Sequence, residues 1–136
     1  MTTHDLAKDY FKRAQMRFAA LGTLLNEGAY PDVIRESQEL VELVLKGYLR
    51  LYNIDPPKWH DVGSILVQNA SLLSVRVQTE MNFIVEFSKF LRRERENAFY
   101  GDDDLIPTDH FTKDMADDCY AKVKKLLEIF KPEFNK

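Results

Sequence analysis

The residues with the most chemical potential are crowded into LRRERENAFYGDDD, Leu91 to Asp104. Arg92, Arg93 and Arg95 place three guanidinium groups within about one helical turn. A guanidinium keeps its charge at physiological pH and grips phosphate through paired N–H bonds. Phe99 and Tyr100 add aromatic faces, Tyr100 also a hydroxyl, and Asn97 completes the set of binding candidates. Together they could hold a nucleotide phosphate and stack a base. The same residues also fit a solvated helix end, with Glu94 and Glu96 neutralising the arginines locally. Arg95 speaks against that plainer reading. On a 100° wheel it lies near the middle of the apolar stripe Val77, Met81, Ile84, Phe87, Leu91 and Ala98. A guanidinium where an apolar residue belongs marks a functional or a paired site.

Other reactive residues stand apart. Asp102, Asp103 and Asp104 could bind Mg²⁺, but consecutive loop residues rarely all face one ion and no EF-hand pattern surrounds them. A solvated turn is expected. His60, after PPKW, is either a general base or the cap of a short helix. His110 has no nucleophile or carboxylate in pattern with it. Cys119 falls on an apolar stripe and reads as a small core residue. One cysteine excludes an intrachain disulfide, and three scattered histidines make a zinc site improbable. No metal, no cofactor and no confident catalytic residue is assigned. There is no Gly-rich phosphate loop, G-x-S-x-G or H-E-x-x-H.

The elements that position these groups are helical. The chain has 136 residues, 45% of them hydrophobic, enough for one domain over 1–136 with a core that needs no disulfide. The net charge of −3 gives no global basic field for nucleic acid, so any such site must be a local patch. No apolar run approaches the roughly 18 residues of a membrane span, and MTTHDLAKDY is unlike a signal peptide. A reduced, cytoplasmic protein is expected.

Spacing predicts a first helix from about His4 to Asn26, with Thr3 as cap and Gly28 as stop. The second runs through the stretch Tyr30 to Trp59, apolar almost all round, ended by Pro56 and Pro57. Its one polar stripe is Arg35, Glu39, Glu42, Lys46 and Arg50, with Arg35–Glu39 and Glu42–Lys46 as i,i+4 pairs. Such a helix is central in a bundle or lies in a dimer seam. A short third helix spans about Asp61 to Gln68, a fourth Val75 to Phe99, and a fifth Thr112 to Phe130, stopped by Pro132. No alternating strand pattern appears. The expected fold is all-α, an up-and-down bundle of four long helices plus one short.

The run AALGTLLNEGAYPDVIRESQELVELVLKGYLRLYNIDPPKWHDVGSIL resembles a HEPN domain. The ordered pieces are Tyr30-Pro31-Asp32, Gln38, Val41-Glu42, Leu45-Lys46, Pro56-Pro57 and His60-Asp61. They cover about residues 19–67; the later helices match in layout and in the Arg-rich segment. The resemblance implies an up-and-down helical bundle, often a homodimer, associated with nucleotide or RNA. Many such domains are metal-independent ribonucleases carrying an Arg followed, after four to six residues, by a His. Some are toxins encoded beside a minimal nucleotidyltransferase antitoxin.

This chain departs at that motif. Four residues after Arg95 the next position is Tyr100, and Arg93 has no His within reach either. A phenol, which ordinarily titrates near pH 10, is a poor general base at neutral pH. Three functions follow from the resemblance and the departure. The leading one is a non-catalytic nucleotide- or RNA-binding module using Arg92, Arg93, Arg95, Asn97 and Tyr100. The second is a ribonuclease toxin using Arg95 and Tyr100, paired with a nucleotidyltransferase. The third is a structural dimerisation protein in which Arg95 pairs with a carboxylate such as Glu42 or Glu80.

Overall fold

The second helix, so apolar in sequence, becomes the axis of the molecule. The computed structural model describes residues 2–56, 58 and 61–136. Its helices are α1 (Thr3–Asn26), α2 (Tyr30–Leu51), α3 (Val62–Gln68), α4 (Val75–Thr79), α5 (Met81–Phe99), α6 (Pro107–His110) and α7 (Lys113–Phe134), with a 3-10 turn at Ala70–Leu72. Among the described residues there is no strand, only one isolated bridge between Asp102 and Leu105. The fold is all-α, four long helices with short connecting ones.

Every α2 residue except Asp32 is at least half-hidden. Val33, Ile34, Leu40, Val44, Leu45, Tyr48 and Leu49 have no exposed surface. That is possible because α2 packs against α1, α5 and α7 together. The directions follow from paired residues. Phe11 stacks on Phe134 and Phe18 on Tyr120, so α1 runs opposite to α7. Tyr48 meets Phe130 edge-on, and Ser37 lies beside Cys119. Equal forward steps on both helices make α2 and α7 parallel, as an up-down-up-down bundle requires.

Helix ends differ from the sequence expectation in instructive ways. The first cap is Thr2, not Thr3. Thr2 and Asp5 form a reciprocal capping box, Thr2 N–H to Asp5 Oδ2 at 2.8 Å and Asp5 N–H to Thr2 Oγ1 at 3.1 Å, and that box needs its partners three residues apart. Gly28 does stop α1, at φ +76°, with Ala29 N–H donating to the Leu24 carbonyl at 2.9 Å. The second helix stops earlier than its prolines. Asn53 adopts φ +58° and Ile54 N–H closes on the Leu49 carbonyl at 3.0 Å, the same left-handed stop with Asn in place of Gly. Pro57, Trp59 and His60 lie outside the described residues. Asp61 caps α3, its Oδ1 accepting from Gly63 N–H at 3.0 Å.

The expected fourth helix is two. Glu80, at φ −97° and ψ 8°, separates α4 from α5. Beside the break, the Thr79 hydroxyl donates to the Val75 carbonyl at 2.8 Å, a bond that bends helices. The small α6 was not foreseen, since four residues carry no periodicity.

Pro132 does not stop α7; it sits inside the helix. Proline removes the N–H that the carbonyl four residues back would accept. That carbonyl, Glu128, instead accepts from Arg76 Nη2 at 3.3 Å, and Arg76 Nε donates to the Ile129 carbonyl at 3.0 Å. Arg76 thus satisfies the acceptor freed by the proline and ties α4 to α7. Arg76→Ala should destabilise the protein by about 1 kcal/mol, read as a lower urea midpoint. The same substitution should cost less in a Pro132→Ala background, where the helix supplies its own donor. Equal losses in both backgrounds would show that Arg76 does not compensate for the proline.

Candidate functional site

Antiparallel packing sets the arginines of α5 opposite the polar stripe of α2. Steps of three and four residues up α5, from Arg92 to Arg95 to Phe99, meet equal steps back along α2, from Glu42 to Glu39 to Arg35. Arg92 Nη1 donates to Glu42 Oε1 at 3.2 Å, and Arg95 Nη2 to Glu39 Oε1 at 2.8 Å. The Arg35 guanidinium lies 4.4 Å from the centre of the Phe99 ring. Lys46 Nζ stands 3.3 Å from the other oxygen of Glu42. Arg92 Nε is 3.9 Å from Asp61 Oδ1, and Arg35 Nη2 is 4.0 Å from Glu39 Oε1.

Arg95 sits on the line between buried Leu91 and Ala98, as its spacing requires, yet its side chain is 46% exposed. The reason lies across the interface. Where α2 offers Glu39 and Glu42 instead of apolar side chains, no dry contact forms and a groove of about 400 Å³ stays open. Its α2 wall is Gln38, Glu39, Glu42 and Lys46; its α5 wall is Arg92, Arg95 and Glu96; Lys58 also lines it. Gln38 is only 4% exposed, and its Oε1, which has no hydrogen-bond partner, is itself buried. Neither carboxylate named in advance for Arg95 is its partner. Glu42 takes Arg92, and Glu80 lies 3.6 Å from Lys125.

Of the five candidate binding residues, the fold brings together Arg92 and Arg95 and leaves three outside the groove. Helical rotation is the cause, since residues three apart share a face and residues one or two apart do not. Arg93 lies over the Phe90 ring at 5.9 Å. Asn97 Nδ2 donates to Glu94 Oε2 at 3.3 Å. Tyr100, at the C-terminal end of α5, is 71% exposed and meets Phe99 edge-on at 4.5 Å. Sequence reasoning passed over Gln38, Glu39, Glu42 and Lys46 as site residues. The signal was present: Glu39 and Glu42 repeat the three-residue spacing of Arg95 and Arg92.

The remaining reactive residues do not form a centre. Gly101 turns the chain out of α5 at φ +64°, where any side chain would strike the Leu105 carbonyl and the Pro107 ring. Asp102 Oδ1 then accepts from Asp104 N–H at 2.8 Å, so that carboxylate serves the turn. Among the described residues, no three of His, Cys, Asp and Glu are placed to hold a metal ion. His110 meets Phe111 edge-on. Cys119 is 1% exposed, and burial pushes its thiol up to about 11, with Ser37 opposing.

The groove brings Arg92 and Arg95 together. It holds four cationic side chains and three carboxylates. A half-exposed ion pair is worth about 0–1 kcal/mol, and two-point guanidinium–phosphate bonds are stronger. An incoming phosphate can therefore take Arg92 and Arg95 from Glu42 and Glu39. It follows that Arg95→Ala should change folding stability by less than about 1 kcal/mol, measured by chemical denaturation. The thiol provides a check on the core. A folded value above the unfolded one favours the fold fully below about pH 9 and progressively less as pH rises through 11. Native protein should not react with iodoacetamide at pH 8, and urea-unfolded protein should. Rapid native labelling would mean that the α2–α7 contact opens.

Among the described residues no helix is long and apolar enough to cross a membrane. Comparison with known families gives a match to the model of the HEPN domain over residues 7–133. Comparison with curated proteins and with solved structures gives no match.

Proposed function

The chain belongs to the HEPN domain family, and on that premise we propose that it is a non-catalytic nucleotide- or RNA-binding module whose phosphate-holding residues are Arg95 and Arg92. One observation carries the reading: two half-exposed guanidiniums, one helical turn apart, border an open groove. Phosphate oxygens accept from the arginines. Glu39 and Glu42 hold the guanidiniums in place until the ligand arrives.

The absence of the family's histidine supports the non-catalytic choice. Tyr100 stands in its place in sequence, and it lies off the groove that Arg92 and Arg95 line. The reading takes the protein to be cytoplasmic and to work as a homodimer, with a nucleotidyltransferase as the partner the family suggests. The Arg95–Glu39 bond at 2.8 Å favours a competing scaffold role, in which these ion pairs only fix helix register.

A thermal melt separates the two. Single-stranded RNA or a nucleotide should raise the melting temperature, and Arg95→Ala should abolish the rise. Glu39→Gln frees the guanidinium and should tighten binding several-fold. The scaffold role stands instead if no nucleotide or RNA shifts the melt and Glu39→Gln only lowers it. RNA incubated with the purified protein and EDTA should stay intact; cleavage would restore the ribonuclease toxin reading.

A further inference from the structure

A second cavity, of about 370 Å³, opens beside the groove where α1, the start of α2 and the end of α5 meet. Leu21 and Leu24 form its apolar wall, and Arg35 and Phe99 face it. The two spaces are joined through one carboxylate. Glu39 Oε1 is 2.8 Å from Arg95 Nη2 and 4.0 Å from Arg35 Nη2, while Arg35 Nη1 donates to Glu36 Oε1 at 2.8 Å. Both volumes fall in the range of small-ligand sites, on the order of 300–1,000 Å³.

The two spaces differ in charge. Arg17, Arg35, Asp32 and Glu36 bring two cations and two carboxylates to the second cavity, which leaves no net attraction for an anion. The groove has one cation in excess. Phe99 is 49% exposed, although it is a large aromatic ring. It is held in orientation by Arg35 at 4.4 Å on one side and by Tyr100 edge-on at 4.5 Å. A preformed guanidinium–aromatic stack with free ring surface is what a nucleobase adds to. Along α5, Phe99 is four residues from Arg95 and seven from Arg92, about 6 and 10 Å of helix rise. That is the span from a base to its own phosphate and the next one.

We infer that the cavity is a base subsite, in which an unpaired nucleobase stacks on the Arg35–Phe99 pair while its phosphates lie on Arg95 and Arg92. The inference rests on the phosphate-binding reading above and adds the half of the ligand that it left open. It also gives Tyr100 work as a positioning residue for Phe99. The ligand chemistry is a base with two phosphates in reach, supplied by single-stranded RNA or by a nucleoside diphosphate.

The test uses 2-aminopurine, whose fluorescence falls when it stacks, placed centrally in an RNA octamer and separately as its riboside 5′-diphosphate. Binding of at least one of the two should quench the probe, and whichever binds identifies the source. Phe99→Ala should remove the quench and weaken binding about ten-fold, within the range for loss of one stacked base. Phe99→Tyr should keep both. Arg35→Lys, which keeps the charge and loses the planar face, should reduce the quench; its melting temperature checks that it folds. Binding that depends on Arg95 with quench and affinity unchanged in Phe99→Ala would overturn the base subsite and leave the phosphate groove standing. No binding of either probe by the wild-type protein would overturn both.

Discussion

A helix buried on nearly every side must still do something with its charges, and α2 is that helix. Only Asp32 is exposed, yet the stripe Arg35, Glu39, Glu42 and Lys46 cannot be left unpaired in half-buried surroundings without a large penalty. The stripe therefore needs a partner helix whose charges are opposite in sign and matched in step. α5 supplies Arg92 and Arg95 in the reverse direction, followed by the Phe99 ring for Arg35. Sliding α5 by one turn would set Arg92 against Lys46 in one direction and Arg95 against Arg35 in the other. The apolar contacts of α2 with α1 and α7 hold the bundle; the charged seam fixes where α5 stops along it.

The strength of that seam matters as much as its pattern. A fully dry Arg–Glu pair would hold register more firmly, but its arginine would be out of reach of any ligand. Side chains 39–46% exposed on the α5 side and 17–32% on the α2 side lie between those limits. They are ordered enough to align two helices and wet enough for a guanidinium to exchange one oxygen partner for another. The open groove is a consequence of the same choice, because charged side chains cannot close an interface as leucines do.

Most of this architecture was legible in the residues. Hydrophobic spacing located the four long helices, and the family resemblance in residues 19–67 agreed with the match over residues 7–133. What was missed has physical causes. Asn53 ends α2 because Asn tolerates the left-handed conformation, a property its type suggests but does not demand. Pro132 survives inside α7 because Arg76, more than fifty residues away, donates to the freed carbonyl, and no local rule can see that bond. Arg95 was recognised as out of place on its stripe. Its partner was not, because a helical wheel says which face a residue occupies and not which residue of another helix lies opposite. Once the antiparallel step is known, Glu39 follows directly.

Charge also constrains how any nucleic acid would arrive. A chain of net charge −3 offers no long-range pull on a polyanion, and the groove's single excess cation is screened within about 10 Å at ordinary salt. Affinity would have to come from contact: exchange of Glu39 and Glu42 for phosphate, and apolar or stacking gain beside it. Duplex is poorly suited to such a site, since its bases are covered and its phosphates are best held by broad positive surfaces. An unpaired segment brings both a bare base and adjacent phosphates to one place. The acidic balance of the chain, which excludes a general nucleic-acid-binding surface, is therefore compatible with a small site that reads a few unpaired nucleotides, and it argues for short-range recognition over electrostatic capture.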